Sequence, residues 1–288
     1  MVGKLLRNIA LAVIGLAVLA YAGAVGYLYV EQRHLLYLNK PGAETPAIAS
    51  LPIEDVRIAT PDGQTLEAWY EAPQPGKPVF LFFHGQAASL QLGKWRYIRM
   101  HKEGVGYLAL AYRGFSGSTG TPTEKGLFID GLAAYDWLRA KGYQPSDIVI
   151  HGHSLGTGVA TYVASQRPAR ALILEAPFTA ASDVAQARYP VMPVALLMHD
   201  HFNSASRIKD VHMPLLIVHG DADSVIPIAE GRRLYSLAND PKTFVLMPGS
   251  EHNTLVRDGL YDHVWPFLGL APVDLDPSLA VKPNVHGH

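Results

Sequence analysis

The chain has 288 residues, 49% of them hydrophobic and 17% charged, enough apolar side chain for one sizeable core with appendages. A formal net charge of -1 and a pI near 6.9 provide no basic stripe for a polyanion, which argues against nucleic acid as a partner. The absence of cysteine excludes disulfides, thiolate catalysis and cysteine-ligated zinc.

From Asn8 to Val30 no residue is charged, and Ile9 to Val30 is apolar or small apart from three tyrosines. As a helix those residues rise about 33 Å, enough to cross a bilayer. Tyr21, Tyr27 and Tyr29 fall toward the end where an interfacial aromatic belt is expected. Two readings follow: an uncleaved signal-anchor, favoured because apolarity continues through Val30, or a secretory signal cleaved at Ala20-Tyr21-Ala22. Both place the remainder outside the cytoplasm. Residues 31–54, with Pro41, Gly42, Pro46 and Pro52, read as a linker laid onto the globular domain.

Two strands follow, around Val56 to Ala59 and Leu66 to Ala72, joined by the turn Pro61-Asp62-Gly63. Val79 to Phe83 is a continuous apolar run of the kind found in strands buried on both faces, and it ends in His84-Gly85-Gln86. Helices and strands then alternate: a helix near Gln91 to Lys102, a strand Tyr107 to Tyr112, a helix Thr123 to Ala140 and a strand Ile148 to Ile150. The helix Leu155 to Gln166 precedes strands Ala171 to Leu174, Leu215 to Val218 and Thr243 to Met247, with a helix at Ile228 to Leu237 and a last one after His252. This order predicts an α/β fold with a mostly parallel twisted sheet, helices on both faces, and function at the C-terminal ends of the strands.

At one such end stands Gly152-His153-Ser154-Leu155-Gly156, a strand running through a tight turn into a helix. A serine hydroxyl is a poor nucleophile and needs exposure to a general base and to oxyanion donors. A sharp strand-to-helix turn supplies both, and flanking glycines let strand and helix approach. The loop after the strand Leu215 to Val218 carries Asp221 and Asp223, and the loop after the next strand carries His252, in the order serine, acid, histidine.

Together with Tyr112-Arg113-Gly114-Phe115-Ser116-Gly117-Ser118, Glu175-Ala176-Pro177-Phe178 and His219-Gly220-x-x-Asp223-x-x-Ile226-Pro227, these pieces resemble the α/β-hydrolase superfamily, and within it the membrane-anchored Bem46-like branch of serine hydrolases. The resemblance covers roughly residues 50 to 270. It implies Ser154 as nucleophile, His252 as base and Asp223 as acid, with Asp221 ordering its loop or capping a helix and Asp200 a distant alternative acid. It also implies an oxyanion hole from the backbone N–H groups of Leu155 and Gln86. The chain divides accordingly into a transmembrane signal-anchor (1–30), the linker (31–54), a catalytic domain (55–270) and a flexible tail (271–288).

The expected activity is cofactor-independent and metal-free cleavage of a small-molecule ester, thioester or acyl substrate through an acyl-enzyme, on a single-pass membrane protein. A serine peptidase of the same fold, or a non-catalytic membrane-tethered binding module, are the alternatives. Oligomeric state does not follow from the sequence. His199-Asp200-His201 imitates a metal cluster, but consecutive helical residues point different ways. His151, His153 and His219 read as packed residues, and Arg113 and Glu175 as structural hydrogen-bonding groups. The run Pro190 to Met198, with Leu196 and Leu197, either lines an acyl-chain pocket facing the membrane or caps the core.

Overall fold

The computed structural model describes residues 1–46, 48, 51–86 and 89–270; the tail over 271–288 and the loop residues 87 and 88 lie outside them. The first helix, α1, spans Val2–Leu36 and carries the uncharged run. It is long and apolar enough to cross a membrane. It continues six residues beyond Val30, into what reads as linker, because the polar residues there find partners: Arg33 Nε lies 3.0 Å from Asp200 Oδ2, and His34 pairs with Glu31 one turn back. The chain then turns onto the domain, with Tyr37 buried and the Glu44 carboxylate accepting from the Leu90 and Gln91 N–H groups and the Ser116 hydroxyl.

Eight strands follow: β1 (Glu54–Ala59), β2 (Thr65–Glu71), β3 (Val79–Phe83), β4 (Gly106–Leu110), β5 (Ile148–His153), β6 (Ala171–Glu175), β7 (Leu215–Gly220) and β8 (Lys242–Met247). Their order in the sheet is β1-β2-β4-β3-β5-β6-β7-β8. Strand β2 runs antiparallel to both neighbours, and every pairing from β4 to β8 is parallel. All eight expected strands are present, including the antiparallel hairpin at the front.

The helices are α2 (Lys94–Glu103), entered through a 3-10 turn at Leu90–Gly93, α3 (Glu124–Ala140), α4 (Leu155–Gln166), α5 (Ala181–Arg188), α6 (Val194–Leu197), α7 (Ser204–Arg207), α8 (Ile228–Leu237) and α9 (Leu260–Phe267). The expected last helix begins eight residues after His252, because turns occupy the intervening segment. Every residue of β3, β4, β6 and β7 is buried, so both faces of the central sheet are covered. Alternation along β3 shows how. Phe80 meets Trp265 of α9 and Phe82 lies under the Arg96 guanidinium of α2, while Phe83, on the opposite face, stacks with Tyr112 and approaches α3 at Gly131.

Three features of this architecture position the site. The parallel strands bring the ends of β3, β5, β7 and β8 to one edge. The segment between β6 and β7, carrying α5, α6 and α7, rises over that edge. The C-terminal half of α1 comes down beside it.

Candidate active site

Ser154 occupies the junction of β5 and α4 with φ +53 and ψ -122, a conformation that L-residues rarely adopt. Tight packing of strand against helix imposes it. A Cβ on Gly152 would come 2.5 Å from the Gly156 carbonyl oxygen, and one on Gly156 would collide with the carbonyl oxygens of Phe83 and His84 at the end of β3. The G-x-S-x-G spacing therefore records two places without room for a side chain. From below, the Ser154 N–H donates to the Glu175 carbonyl at 3.0 Å.

His252, in the loop after β8, has Nε2 2.8 Å from Ser154 Oγ and Nδ1 2.8 Å from Asp223 Oδ2. All three residues are buried. Burial acts to raise the Asp223 carboxyl, but hydrogen bonds from His219 and His252, with backbone N–H donation from Ile226, outweigh it and hold the group well below the usual carboxylate range. An ionised carboxylate only accepts, so His252 Nδ1 carries the proton and Nε2 is left to accept the serine hydroxyl. The other Asp223 oxygen takes the N–H groups of Val225 and Ile226, which fixes the carboxylate in its loop.

The alternative acids are used elsewhere. Asp221 is exposed and accepts the Gly249 N–H at 2.7 Å, tying the β7 and β8 loops together. Asp200 joins Arg33 of α1 to the first N–H of α3 at Glu124. Its neighbour His199 packs edge-on against Tyr29, and no group of three potential metal ligands occurs among the described residues.

Gln86 and Leu155 line the same cavity as Ser154. Neither backbone N–H has a hydrogen-bond acceptor among the described residues. The β3 loop that carries Gln86 touches the elbow, since a Cβ on Gly85 would lie 3.3 Å from that of Ser154. His84 anchors the loop: its Nδ1 is 2.7 Å from the Gly85 carbonyl, its ring lies 4.3 Å from that of Tyr112, and burial lowers its pKa to about 4. A neutral imidazole donates that bond. On the other side, the Gln86 carbonyl accepts the N–H of Leu38, just beyond α1.

Beneath the elbow lies a polar network built on Glu175, expected to be a structural hydrogen-bonding group, and on Arg96, which the sequence did not signal. Arg96 of α2 grips both oxygens of the buried Glu175, which also receives His151 Nε2 at 2.7 Å. Burial acts to raise the Glu175 carboxyl, and the charges and hydrogen bonds of Arg96 and His151 reverse this, holding it far below its ordinary range. Burial pushes His151 down as well. Arg113, expected to be structural, closes a second network with Asp130 and Asp62.

Above Ser154 opens a cavity of about 580 Å³ with largely apolar walls. Met192, Pro193, Val194, Leu197 and Met198 of the segment between β6 and β7 contribute to it, but Leu196 points away and is 83% exposed. Val25, Leu28, Tyr29 and Gln32 of α1 complete the opposite wall. A role for α1 beyond the membrane leaves one trace in the sequence: Val25, Leu28, Gln32 and Leu36 recur at three- and four-residue spacing.

The sequence pattern of the prolyl oligopeptidase family matches residues 98–266. An uncharacterized protein of Mycobacterium tuberculosis is 36% identical over 254 residues, covering 87% of this chain and 90% of that one. The lysophosphatidylserine lipase of Rattus norvegicus is 34% identical over 206 residues, 62% of this chain, and this chain covers 50% of its length. An esterase of Pyrococcus furiosus superposes with a TM-score of 0.65 at 22% identity, over 80% of this chain and 97% of that one, a likeness that shows the α/β-hydrolase fold.

Proposed function

The chain belongs to the prolyl oligopeptidase family, and from that membership we propose that it is a membrane-anchored serine hydrolase cleaving carboxylic esters or thioesters, lipids among them, through an acyl-enzyme. The observation that carries the reading is the hydrogen-bonded line Ser154–His252–Asp223 opening onto an apolar cavity. A lipase among the similar proteins supports an ester over a peptide.

In this mechanism Ser154 Oγ attacks the acyl carbon while His252 Nε2 takes the hydroxyl proton, and Asp223 stabilises the imidazolium. The N–H groups of Leu155 and Gln86 receive the oxyanion, each such donor contributing about 10²–10³ in rate. Collapse of the tetrahedral intermediate breaks the bond to the alcohol or thiol, which leaves with the proton from His252. Water then attacks the acyl-serine by the same route, giving the carboxylic acid and free Ser154. No metal or cofactor enters these steps.

In the same proposal α1 spans the bilayer as an uncleaved anchor, with the catalytic domain on the non-cytoplasmic side. Release of the chain from membranes by alkaline carbonate would remove the anchor and favour the secreted alternative.

The test is labelling by a fluorophosphonate. Wild type is expected to label, and Ser154→Ala and His252→Ala are not. A folded wild type that stays unlabelled ends the hydrolase reading and leaves the binding module. Hydrolysis of peptide anilides faster than of esters or thioesters would move the assignment to the peptidase.

A further inference from the structure

The cavity over Ser154 has one wall that belongs to the anchor. Val25, Leu28 and Gln32 form a stripe along α1, and Met192 and Leu197 face them from the segment between β6 and β7. Polar contacts seat the helix against that segment. Tyr21 Oη donates to the Val191 carbonyl at 2.8 Å, Gln32 Nε2 to the Leu197 carbonyl at 3.3 Å, and the His199 N–H to Gln32 Oε1 at 2.6 Å.

These contacts set a depth. Tyr21 lies within the uncharged run, nine residues before its end at Val30, about 13 Å along the helix axis. Because its hydroxyl reaches Val191, the tip of the segment lies at the same level. Val191 is 73% exposed there, a cost in water that disappears in hydrocarbon. Val25 and Leu28 belong to the uncharged run as well, so the cavity extends from Ser154 to side chains at bilayer depth.

We propose that α1 is half of the acyl-binding site: one acyl chain of a bilayer-resident ester or thioester enters sideways between α1 and the segment bearing Val191, and the side chains at 25 and 28 set the chain length hydrolysed. This rests on the hydrolase reading above. A cavity of about 580 Å³ lies within the ~300–1,000 Å³ range that buries most of a drug-sized ligand. The ester end then reaches Ser154 between Gln86 and Leu155, and its polar leaving group faces the aqueous side.

The experiment uses the full chain in vesicles of zwitterionic phosphatidylcholine, with p-nitrophenyl esters from butyrate to palmitate, rates being normalised to fluorophosphonate-labelled Ser154. Leu28→Trp and Val25→Trp are each expected to lower the palmitate-to-butyrate rate ratio about tenfold or more, the equivalent of two buried methylenes. Val30→Trp, on the opposite face of α1 and outside the cavity wall, is expected to keep the wild-type ratio. If neither cavity variant shifts the ratio, or if Val30→Trp shifts it equally, α1 is only a tether. A wild type that hydrolyses no ester and does not label removes the hydrolase reading itself, and this site with it.

Discussion

Arg96 on α2 holds both carboxylate oxygens of Glu175 at the end of β6, and the backbone carbonyl of that same Glu175 accepts the N–H of Ser154. The two side chains are 7% and 1% exposed, so the pair is sealed from water directly under the residue proposed as nucleophile. An ion pair this deep gains little net stability over an apolar replacement, because desolvating both charges offsets their attraction. Its contribution is to hold the strand ends in one arrangement.

Breaking that pair from one side is therefore expected to be severe. Arg96→Met leaves a buried carboxylate unmatched except by His151 and should lower unfolding stability by about 3–5 kcal/mol in urea melts. Arg96→Met combined with Glu175→Leu should recover much of the loss. A double variant as unstable as the single one would show that the network does more than neutralise charge.

For the loop aspartates the expected outcomes diverge. Asp223→Asn removes the acceptor that fixes the His252 tautomer, and kcat on a p-nitrophenyl ester should fall by about 10⁴ while the fold persists. Asp221→Asn keeps an Oδ1 acceptor for the Gly249 N–H, removes only an exposed charge, and should leave kcat within about twofold. Steady-state kinetics on both variants check the assignment, and a loss concentrated in Asp221→Asn would exchange their roles.

His84 gives stability a dependence on pH. Burial lowers its folded pKa from 6.5 to about 4, so between those values the unfolded chain binds the extra proton. The contribution is fully present above about pH 6.5, falls as pH drops through that window, and is gone near pH 4. A shift of this size corresponds to roughly 3 kcal/mol. Urea midpoints measured at pH 7 and pH 5 should differ less in His84→Asn than in wild type; equal slopes would place the acid sensitivity elsewhere.

Much of this molecule was legible before folding. The runs Val79 to Phe83 and Leu215 to Val218 are continuous apolar segments too short for a helix and bounded by proline or glycine, the mark of a strand covered on both faces. Gly152 and Gly156 mark places where backbone meets backbone, so the elbow is a local property of the chain. Arg96 was not legible: in Lys94–Glu103 it sits among charged residues of an ordinary surface helix, and its burial depends on a carboxylate 79 residues away. The end of α1 lies beyond the sequence expectation for the same kind of reason. Glu31, Gln32 and Arg33 look like the close of a membrane helix, yet Leu197, His199 and Asp200 are what keep the chain helical to Leu36.

The sequence by itself determined the strands, the turn at Ser154 and the loops that carry Asp223 and His252, because apolar periodicity and steric room at glycine act over a few residues. Only the tertiary structure decided that Asp221 ties the β7 and β8 loops together, that Arg96 lies inside, and that the helix expected to be a tether walls the cavity above Ser154. Those relationships join residues far apart in the chain, and nothing in the local pattern of either partner specifies the distance between them.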